Sequence, residues 1–465
     1  MKIELAKKET VHFVGIGGIG MSGLSLIMKR KGFKVQGSDI SNNKNVERLR
    51  KEKIKIFLGH SKKNLKDATI VVISSAIKKN NPELIEAKKK RIQIITRGKM
   101  LASIVSLLKN IVVVGSHGKT TTTSLITSIF QETNFDPTII NGGVINSIKN
   151  TAKLGKSDWS ILEADESDGS FVHILPTYSI ITNIDREHMD FYKSIDDLKK
   201  YFLDFIKKTP PFGKSFICID DKINSELVKT IKNKNFYTYG ESAKSNFIIK
   251  NIKQFKSYSE YDISVSLPNK KPLYIKKIKI PLIGVHNIRN SVGALGVALS
   301  VGIPIQKIKK GLKNFQGVQR RFNKIFIYNG IDFYDDYAHH PTEIKMVLEG
   351  INKVYKNHDK VCIFQPHRIS RLKDLKKEFT YAFKYANTVV LCPIFTAGEK
   401  IKLNFSYESF AKEIIKNSKV KLFMIENHIE LAKFLKNNMY GKKIVVGMGA
   451  GSISNWMRDL PKLML

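Results

Sequence analysis

The stretch from Ile111 to Leu125, IVVVGSHGKTTTTSL, restricts what this chain can fold into more than any other. Its β-branched run, Ile111 to Val114, suits a strand buried in a parallel sheet. The strand breaks at Gly115, and a helical pattern is expected over 120–132 with Leu125, Ile126 and Ile129 on one face. Between the two lies a loop of Gly115, Ser116, His117, Gly118, Lys119, Thr120 and Thr121. Its glycines let backbone amides close around phosphate oxygens, and the helix N-terminus adds a positive end. Lys119 is placed to reach the terminal phosphates of a nucleotide, and the Thr120 hydroxyl suits Mg²⁺. The general phosphate-loop pattern asks for a glycine where this chain has Val113, so the loop reads GxxGKT. By itself it leaves many nucleotide-using enzymes open. A glycine turn with an incidental lysine is the competing reading, which the flanking strand and helix disfavour.

At 465 residues the chain is too long for one core and suggests about three domains. Its 42% hydrophobic content is ordinary for a globular protein, and no apolar run approaches the roughly 18 residues of a membrane span. The opening MKIELAKKETVHFVGIGG has no apolar signal core and no small-residue cleavage site, so no export signal is expected. Cys218, Cys362 and Cys392 are scattered in no metal or disulfide spacing, which fits a reducing cytoplasm. The net charge of +38 raises nucleic-acid binding. Lysines are however spread along the whole length, and no nucleic-acid-binding motif accompanies them, so neither a nucleic-acid nor a membrane partner is expected.

In chain order, His12 to Met21 is a strand running into Gly15, Gly17, Gly18 and Gly20, a GxGxxG loop before a helical pattern. A second strand, 33–36, ends at Gly37, Ser38 and Asp39, with the acid 19 positions after the last loop glycine. That spacing fits a dinucleotide, yet the physics asks only for a diphosphate at the helix N-terminus and a ribose or base near Asp39, so a UDP-sugar serves equally. A third strand leads into the small residues Ser74, Ser75 and Ala76. Further on, Glu163, Asp165, Glu166 and Asp168 follow a strand, four carboxylates that need cations opposite them, with Mg²⁺ as the expected occupant. His188 lies in the next such segment and is a candidate ligand of a metal or a phosphate. From about 213 to 282 only short alternating strands are expected. Then come GVHNIRN, a boundary near QGVQRRF, and the polar clusters DDYAHHPTE, QPHRISR, TAGE and GMGAGS, all but the boundary motif and GVHNIRN expected at strand carboxyl ends of a third α/β domain.

Taken together, GIGGIGMSGL, GSHGKTTTTSL, EADESDGSF, GVHNIRN, QGVQRRF, DDYAHHPTE and FQPHRISR, in this order from about Val11 to Ser454, resemble the Mur ligases. The resemblance implies an α/β protein of three domains: an N-terminal Rossmann-like UDP-sugar domain (1–108), a central P-loop ATPase-type domain (109–318), and a C-terminal Rossmann-like domain that closes over ATP and holds the amino acid (319–465). It implies a cytoplasmic ATP-dependent ligase of peptidoglycan precursor synthesis that joins L-alanine to the carboxylate of UDP-N-acetylmuramate through an acyl phosphate. Attachment of a ready-made tripeptide to the same sugar is the alternative. An NAD-dependent oxidoreductase would leave GKT and EADESD without a role.

The resemblance also assigns residues. Lys119, His188 and Arg368 would be catalytic, and Thr120, Glu163 and His188 would hold metal. Gly115 to Thr121 with Asn287, Arg321, Asp336 and His340 would bind ATP. Gly15, Gly17, Gly18, Gly20, Ser38, Asp39, Ser74, Ala76 and His117 would bind the UDP-sugar, and Tyr337, Arg368 and Arg371 the amino acid. A monomer or weak homodimer is expected. Ser116, Ala338 and Glu187 depart from the family's commoner threonine, glycine and aspartate.

Overall fold

The architecture is that of a computed structural model, which describes residues 9–74, 76–232, 235–400 and 402–464. The first eight residues and Ser75 of the small-residue loop lie outside the described residues. Three sheets carry the chain. The first has five parallel strands in the order Lys55–Leu58, Lys34–Asp39, Thr10–Val14, Ile70–Ile73, Gln93–Thr96. Strand order reverses on either side of Thr10–Val14, which opens a crevice at its carboxyl end where the first glycine loop sits.

The second sheet has ten strands. Its centre is parallel, with Lys109–Val114 between Tyr178–Ile181 and Trp159–Glu163, and then Thr138–Ile145 beyond. Lys214–Cys218, Phe236–Gly240, Phe247–Gln254, Ser259–Val265 and Leu273–Ile280 continue the other side. Asn150–Lys153 closes the near edge antiparallel to Thr138–Ile145. The third sheet runs Asn323–Tyr328, Ile331–Asp336, Lys443–Met448, Asp359–Phe364, Thr388–Leu391, Lys421–Met424. All its pairs are parallel except the first, a hairpin turned at Asn329 (φ 48°) and Gly330 (φ 73°), where two left-handed residues match the twist of the strands.

The helix after the GKT loop spans Lys119–Gln131, and every residue from Thr120 to Phe130 is buried. Four successive threonines are poor helix formers, so packing and not propensity holds this helix. Ser128 Oγ donates to Gly311 O at 2.7 Å, on the helix Ile305–Lys313, where a Cβ on Gly311 would come within 2.5 Å of Ile129 Cα.

Two local expectations shift. The strand read as 33–36 runs Lys34–Asp39, so Gly37, Ser38 and Asp39 belong to it instead of the following loop. Gly37 can sit there because its missing Cβ would meet Phe13 O and Ile16 at 2.6 Å. In the segment read only as strands, a helix, Lys222–Thr230, capped by Asp221, is inserted. Among the described residues no helix is long and apolar enough to cross a membrane.

The chain divides into two compact units, one of Met1–Ile252, Tyr261–Ile280 and Arg289–Gln316, the other of Lys253–Glu260, Pro281–Ile288 and Gly317–Leu465. The first unit holds both the five-stranded sheet and the centre of the ten-stranded one, and a single hydrophobic core runs through Leu24, Ile27, Leu101, Ala152, Leu162 and Phe171. Arg97 pairs with Asp165 at 2.8 Å across that junction. On the same helix, Arg97–Val105, Gly98 faces Ser170 so closely that a Cβ would overlap it. Alanine is worth about 1 kcal/mol over glycine in a helix, but overpacking costs about 1–3 kcal/mol. Gly98→Ala is therefore expected to lower the thermal unfolding midpoint of the full chain, by a net of up to about 2 kcal/mol. A raised midpoint would show that the junction yields.

Candidate functional site

The GSHGKT loop leaves the strand Lys109–Val114 at Gly115 (φ 134°) and enters its helix through Gly118 (φ 84°), two conformations that side chains disfavour. The neighbouring segment Thr182–Asp185 braces it. Asn183 O accepts from Ser116 N at 3.0 Å, and Asn183 Oδ1 accepts from His117 N at 2.8 Å. Thr182 Oγ1 and Asn183 Nδ2 both donate to His117 O, at 2.7 and 3.0 Å. Asp185 N donates to Ser116 Oγ at 2.8 Å, and His117 Nε2 lies 2.9 Å from Asp185 Oδ2. Asn290 packs against Gly118, its Oδ1 2.6 Å from where a Cβ would stand. Sequence reasoning missed Thr182, Asn183 and Asn290; their signal lay in TNID and GVHNIRN, which follow a strand and open a helix.

Lys119 folds back on this loop. Its ammonium donates to Gly115 O (2.5 Å) and Ser116 O (3.1 Å), and pairs with Glu166 at 2.8–3.0 Å. Burial alone would discharge the lysine, but Glu166, Glu163 and Asp165 outweigh it and raise its pKa. Burial pushes Glu166 up, with Asp165 and Glu187 adding to the push and Lys119 opposing it. Tyr192 OH donates to Glu166 O. His188 (φ 57°) places Nε2 3.7 Å from Glu166 Oε1, and Asp165, Glu166 and His188 each offer a ligand atom within 4.8 Å of one another. Two carboxylates and an imidazole at that spacing suit a divalent cation. Of the other metal candidates, Glu163 accepts from Gly142 N at 2.7 Å and Thr120 is buried at the first turn of the helix.

In the first sheet, Gly15 N and Ile16 N donate to Ser38 O at 2.8 and 3.0 Å, so the glycine loop is tied to the adjacent strand. Asp39 accepts from Gly17 N (2.8 Å) and Ser41 N (3.0 Å), which turns the presumed ribose ligand onto the loop itself. Gly17 has no room for a side chain, with Asp39, Asn43 and Val46 all 2.7–2.8 Å from a Cβ position. Gly18 is the N-cap of the following helix, Ile19–Arg30, and a Cβ on Gly20 would sit 3.1 Å from Arg97. Ser74 Oγ is 3.9 Å from the Cβ position of Gly15, and Ala76 is exposed.

Behind Ser38 lies a network that the sequence did not announce. Glu83 is fully buried and accepts from Ser38 Oγ (2.6 Å), Asn64 Nδ2 (2.6 Å) and Ser61 N (3.3 Å), with His12 and His60 each at 3.3 Å. Gln36 Nε2, a donor only, faces His12 Nδ1 at 3.3 Å, so His12 carries its proton on Nε2, towards Glu83. Ser38 gives its proton to Glu83, so His60 Nδ1, 3.0 Å from Ser38 Oγ, is protonated. Burial would raise Glu83, but these donors win and hold it down at about 2.

The second unit carries the remaining candidates. Asp336 accepts from Ala338 N (2.7 Å) and Phe322 N (2.8 Å), and burial, opposed by Arg321 and these amides, pushes it up to about 6. The Tyr337 ring has Arg320 4.8 Å and Arg321 5.2 Å from its centroid. Arg321 also approaches Glu343 at 3.7 Å. His340 is the N-cap of the helix Pro341–Val354, and Glu343 completes the capping box. Asn287 donates to Ile283 O at 2.8 Å. Arg368 (φ 71°) donates from Nε to Glu399 at 2.7 Å, and Arg371 Nη1 lies 3.3 Å from His367 Nδ1 and His367 O. His339 and His367, with ring centroids 5.8 Å apart, link Tyr337 to this pair. Tyr337, Arg368 and Arg371 are thus gathered beyond the carboxyl ends of Ile331–Asp336 and Asp359–Phe364, which flank Lys443–Met448, with His339, His367 and Glu399 among them. Those three stood inside the quoted motifs, but nothing in their spacing separated them from capping or packing residues.

The family description "Mur ligase family, catalytic domain" matches residues 10–108, "Mur ligase middle domain" 113–298, and "Mur ligase, glutamate ligase domain" 320–451. The chain is 70% identical over 463 residues to the UDP-N-acetylmuramate–L-alanine ligase of Pelagibacter ubique, covering 100% of both. It is 43% identical over 462 residues to the ligase of that name from Rickettsia bellii, covering 98% of this chain and 96% of that one. Among solved structures it is similar to a UDP-N-acetylmuramate–alanine ligase of Thermotoga maritima, with a TM-score of 0.81 at 27% identity over 97% and 98% of the two chains. A murein peptide ligase of Psychrobacter arcticus shares the fold at a TM-score of 0.72 and 20% identity, over 98% of each chain.

The Glu83 network makes a pH prediction. A carboxylate held at about 2 instead of 4.5 contributes about 3 kcal/mol of stability. Its folded pKa is depressed, so the contribution is present above ~pH 5 and is lost as pH falls through 4.5 towards 2. Glu83→Gln should therefore lower the melting midpoint at pH 7, and the gap to the parent chain should narrow between pH 5 and pH 3 (about the window of that shift). A gap constant across that range would show that the charge is not what Glu83 supplies.

Proposed function

The chain belongs to the Mur ligase family, and from that premise we propose that it is an ATP-dependent ligase joining L-alanine to the carboxylate of UDP-N-acetylmuramate. The observation that carries the reading is the 70% identity, over the whole length, to a ligase named for that reaction. A sugar-carboxylate oxygen attacks the γ-phosphorus of ATP and ADP leaves. The alanine amine then attacks the acyl carbon, loses its proton, and phosphate departs as the tetrahedral intermediate collapses. The protein's share is positioning and charge neutralisation.

In this reading Lys119 exchanges Glu166 for the phosphates and stabilises charge on the transferring phosphoryl group, while the amides at the start of Lys119–Gln131 take the remaining oxygens. Thr120 and Glu163 would hold Mg²⁺, and His188, with Asp165 and Glu166 in reach of it, a second metal ion; when bound these would supply further neutralisation of phosphate charge. The glycine loop of Gly15 to Gly20, shaped by Asp39 and Ser38, takes the diphosphate of the sugar nucleotide, together with Ser74, Ala76 and His117. Asn287, Arg321, Asp336 and His340 serve the nucleotide, and Arg368 and Arg371 hold the alanine carboxylate beside Tyr337. The reaction belongs in the cytoplasm, where ATP and the sugar nucleotide are found, and needs no more than a monomer or weak homodimer. Ligation of a ready-made tripeptide is disfavoured by the same full-length identity.

Purified protein with Mg-ATP is expected to release phosphate only with both UDP-N-acetylmuramate and L-alanine present. Equal or faster turnover with a tripeptide as the amine would overturn the choice of L-alanine. Lys119→Ala removes the cation aimed at the γ-phosphate and should lower kcat by about 10²–10³, with binding of the UDP-sugar retained by calorimetry. Turnover near that of the parent chain at saturating ATP would reduce the loop to a structural turn.

A further inference from the structure

We propose that Phe395, stacked on His367, is the specificity-determining wall against which the side chain of the incoming amino acid rests, holding it to about the size of a methyl group. The inference rests on the L-alanine reading above and deepens it. The strand Thr388–Leu391 leads into a segment that doubles back beside the QPHRISR motif. Phe395 N donates to Pro366 O and Arg368 N donates to Phe395 O, both at 2.8 Å, so His367 and Phe395 pair as a parallel bridge. Side chains opposite each other in such a bridge point the same way. Their rings accordingly stack with centroids 5.5 Å apart and planes 9° from parallel.

The Phe395 ring cannot retreat. Behind it stands Gly451, where a Cβ would lie 2.5 Å from Phe395 Cγ and 2.6 Å from Gln365 Oε1. Four residues on, Glu399 accepts from Arg368 Nε (2.7 Å), Ser370 Oγ (2.7 Å) and Ser370 N (3.0 Å), which fastens the segment to the helix Ile369–Asp374. One carboxylate thus orients the Arg368 guanidinium and anchors the loop that carries the ring. The ring is nonetheless 37% exposed, unlike the aromatic residues of the core.

The other half of the wall is neutral. Arg371 Nη1 is a donor only, so His367 Nδ1 at 3.3 Å accepts from it. Burial, Arg371 and Arg368 push His367 down to about 4, and the imidazole is uncharged at neutral pH. An uncharged surface of phenyl and imidazole therefore lies beside the Arg368 and Arg371 side chains. An α-amino acid with a short aliphatic side chain needs that combination: cations for its carboxylate and a ring face beside them for its methyl. A fixed wall excludes larger side chains by steric overlap, and opening it by several methylenes relaxes discrimination by about tenfold or more.

The test compares the full-length parent chain with Phe395→Ala and Phe395→Leu, measuring kcat/KM for L-alanine, L-valine and L-leucine at saturating ATP and UDP-N-acetylmuramate. Phe395→Ala should shift the valine-to-alanine ratio by about tenfold or more towards valine, Phe395→Leu by less, with KM for ATP and UDP-sugar within about twofold of the parent. Should Phe395→Ala fail to fold, the ratio in Phe395→Leu, with a melting midpoint near the parent's, decides the matter. An unchanged ratio in a folded variant, with the parent chain active on L-alanine, overturns the wall and leaves the ligase reading standing. A parent chain inactive on L-alanine overturns the ligase reading itself, and the wall with it.

Discussion

A largely buried lysine at the mouth of a parallel sheet is tolerable only if a carboxylate meets it, since removing one partner of a buried pair costs up to about 3–5 kcal/mol. The Lys119–Glu166 pair meets that requirement, and the arrangement around it follows. Glu166 stands just past the strand Trp159–Glu163, which neighbours Lys109–Val114 in the sheet, so the two loops are forced together by strand pairing. The brace from Thr182–Asp185 comes off the strand on the opposite side, Tyr178–Ile181. Three adjacent parallel strands thus build one site from their carboxyl ends. The pair also keeps Lys119 charged and retracted, so an incoming phosphate takes the place of Glu166 and the cation is not left bare.

The same device recurs in the other two sheets. In the first, the glycine loop, Ser38 and Asp39 meet where the strand order reverses, and Glu83 gathers the buried donors behind them. In the third, Ile331–Asp336, Lys443–Met448 and Asp359–Phe364 are neighbours, so DDYAHH, GMGAGS and QPHRISR collect at one edge. Each sheet uses a carboxylate to fix backbone amides or donor side chains: Glu83, Asp336 and the Asp185–His117 pair. Carboxylates serve here as scaffolding as much as chemistry. Asp39 is the plainest case, because a position that spacing suggests for ribose binding is occupied in closing its own loop.

Much was legible in the sequence because its signals are local. A β-branched run, a glycine break and a helical pattern define the loop of Gly115 to Thr121, and the glycines at 15, 17, 18 and 20 define another. The alternation of strands with polar motifs established a mostly parallel α/β chain with functional loops at strand ends, and the seven motifs in order pointed to the family. What the tertiary structure alone decided is which carboxylate serves which cation. Within EADESD nothing local sets Glu166 apart from Glu163, yet only strand register brings Glu166 to Lys119. Glu399 and Phe395 lie about thirty residues from Arg368 and His367, and Glu83 about forty-five from Ser38. Those partnerships depend on sheet order and on burial, which turn a residue's pKa and orientation into properties of its surroundings. Periodicity along the chain carries no record of either, because it reports which face a residue occupies and not what the fold sets opposite it.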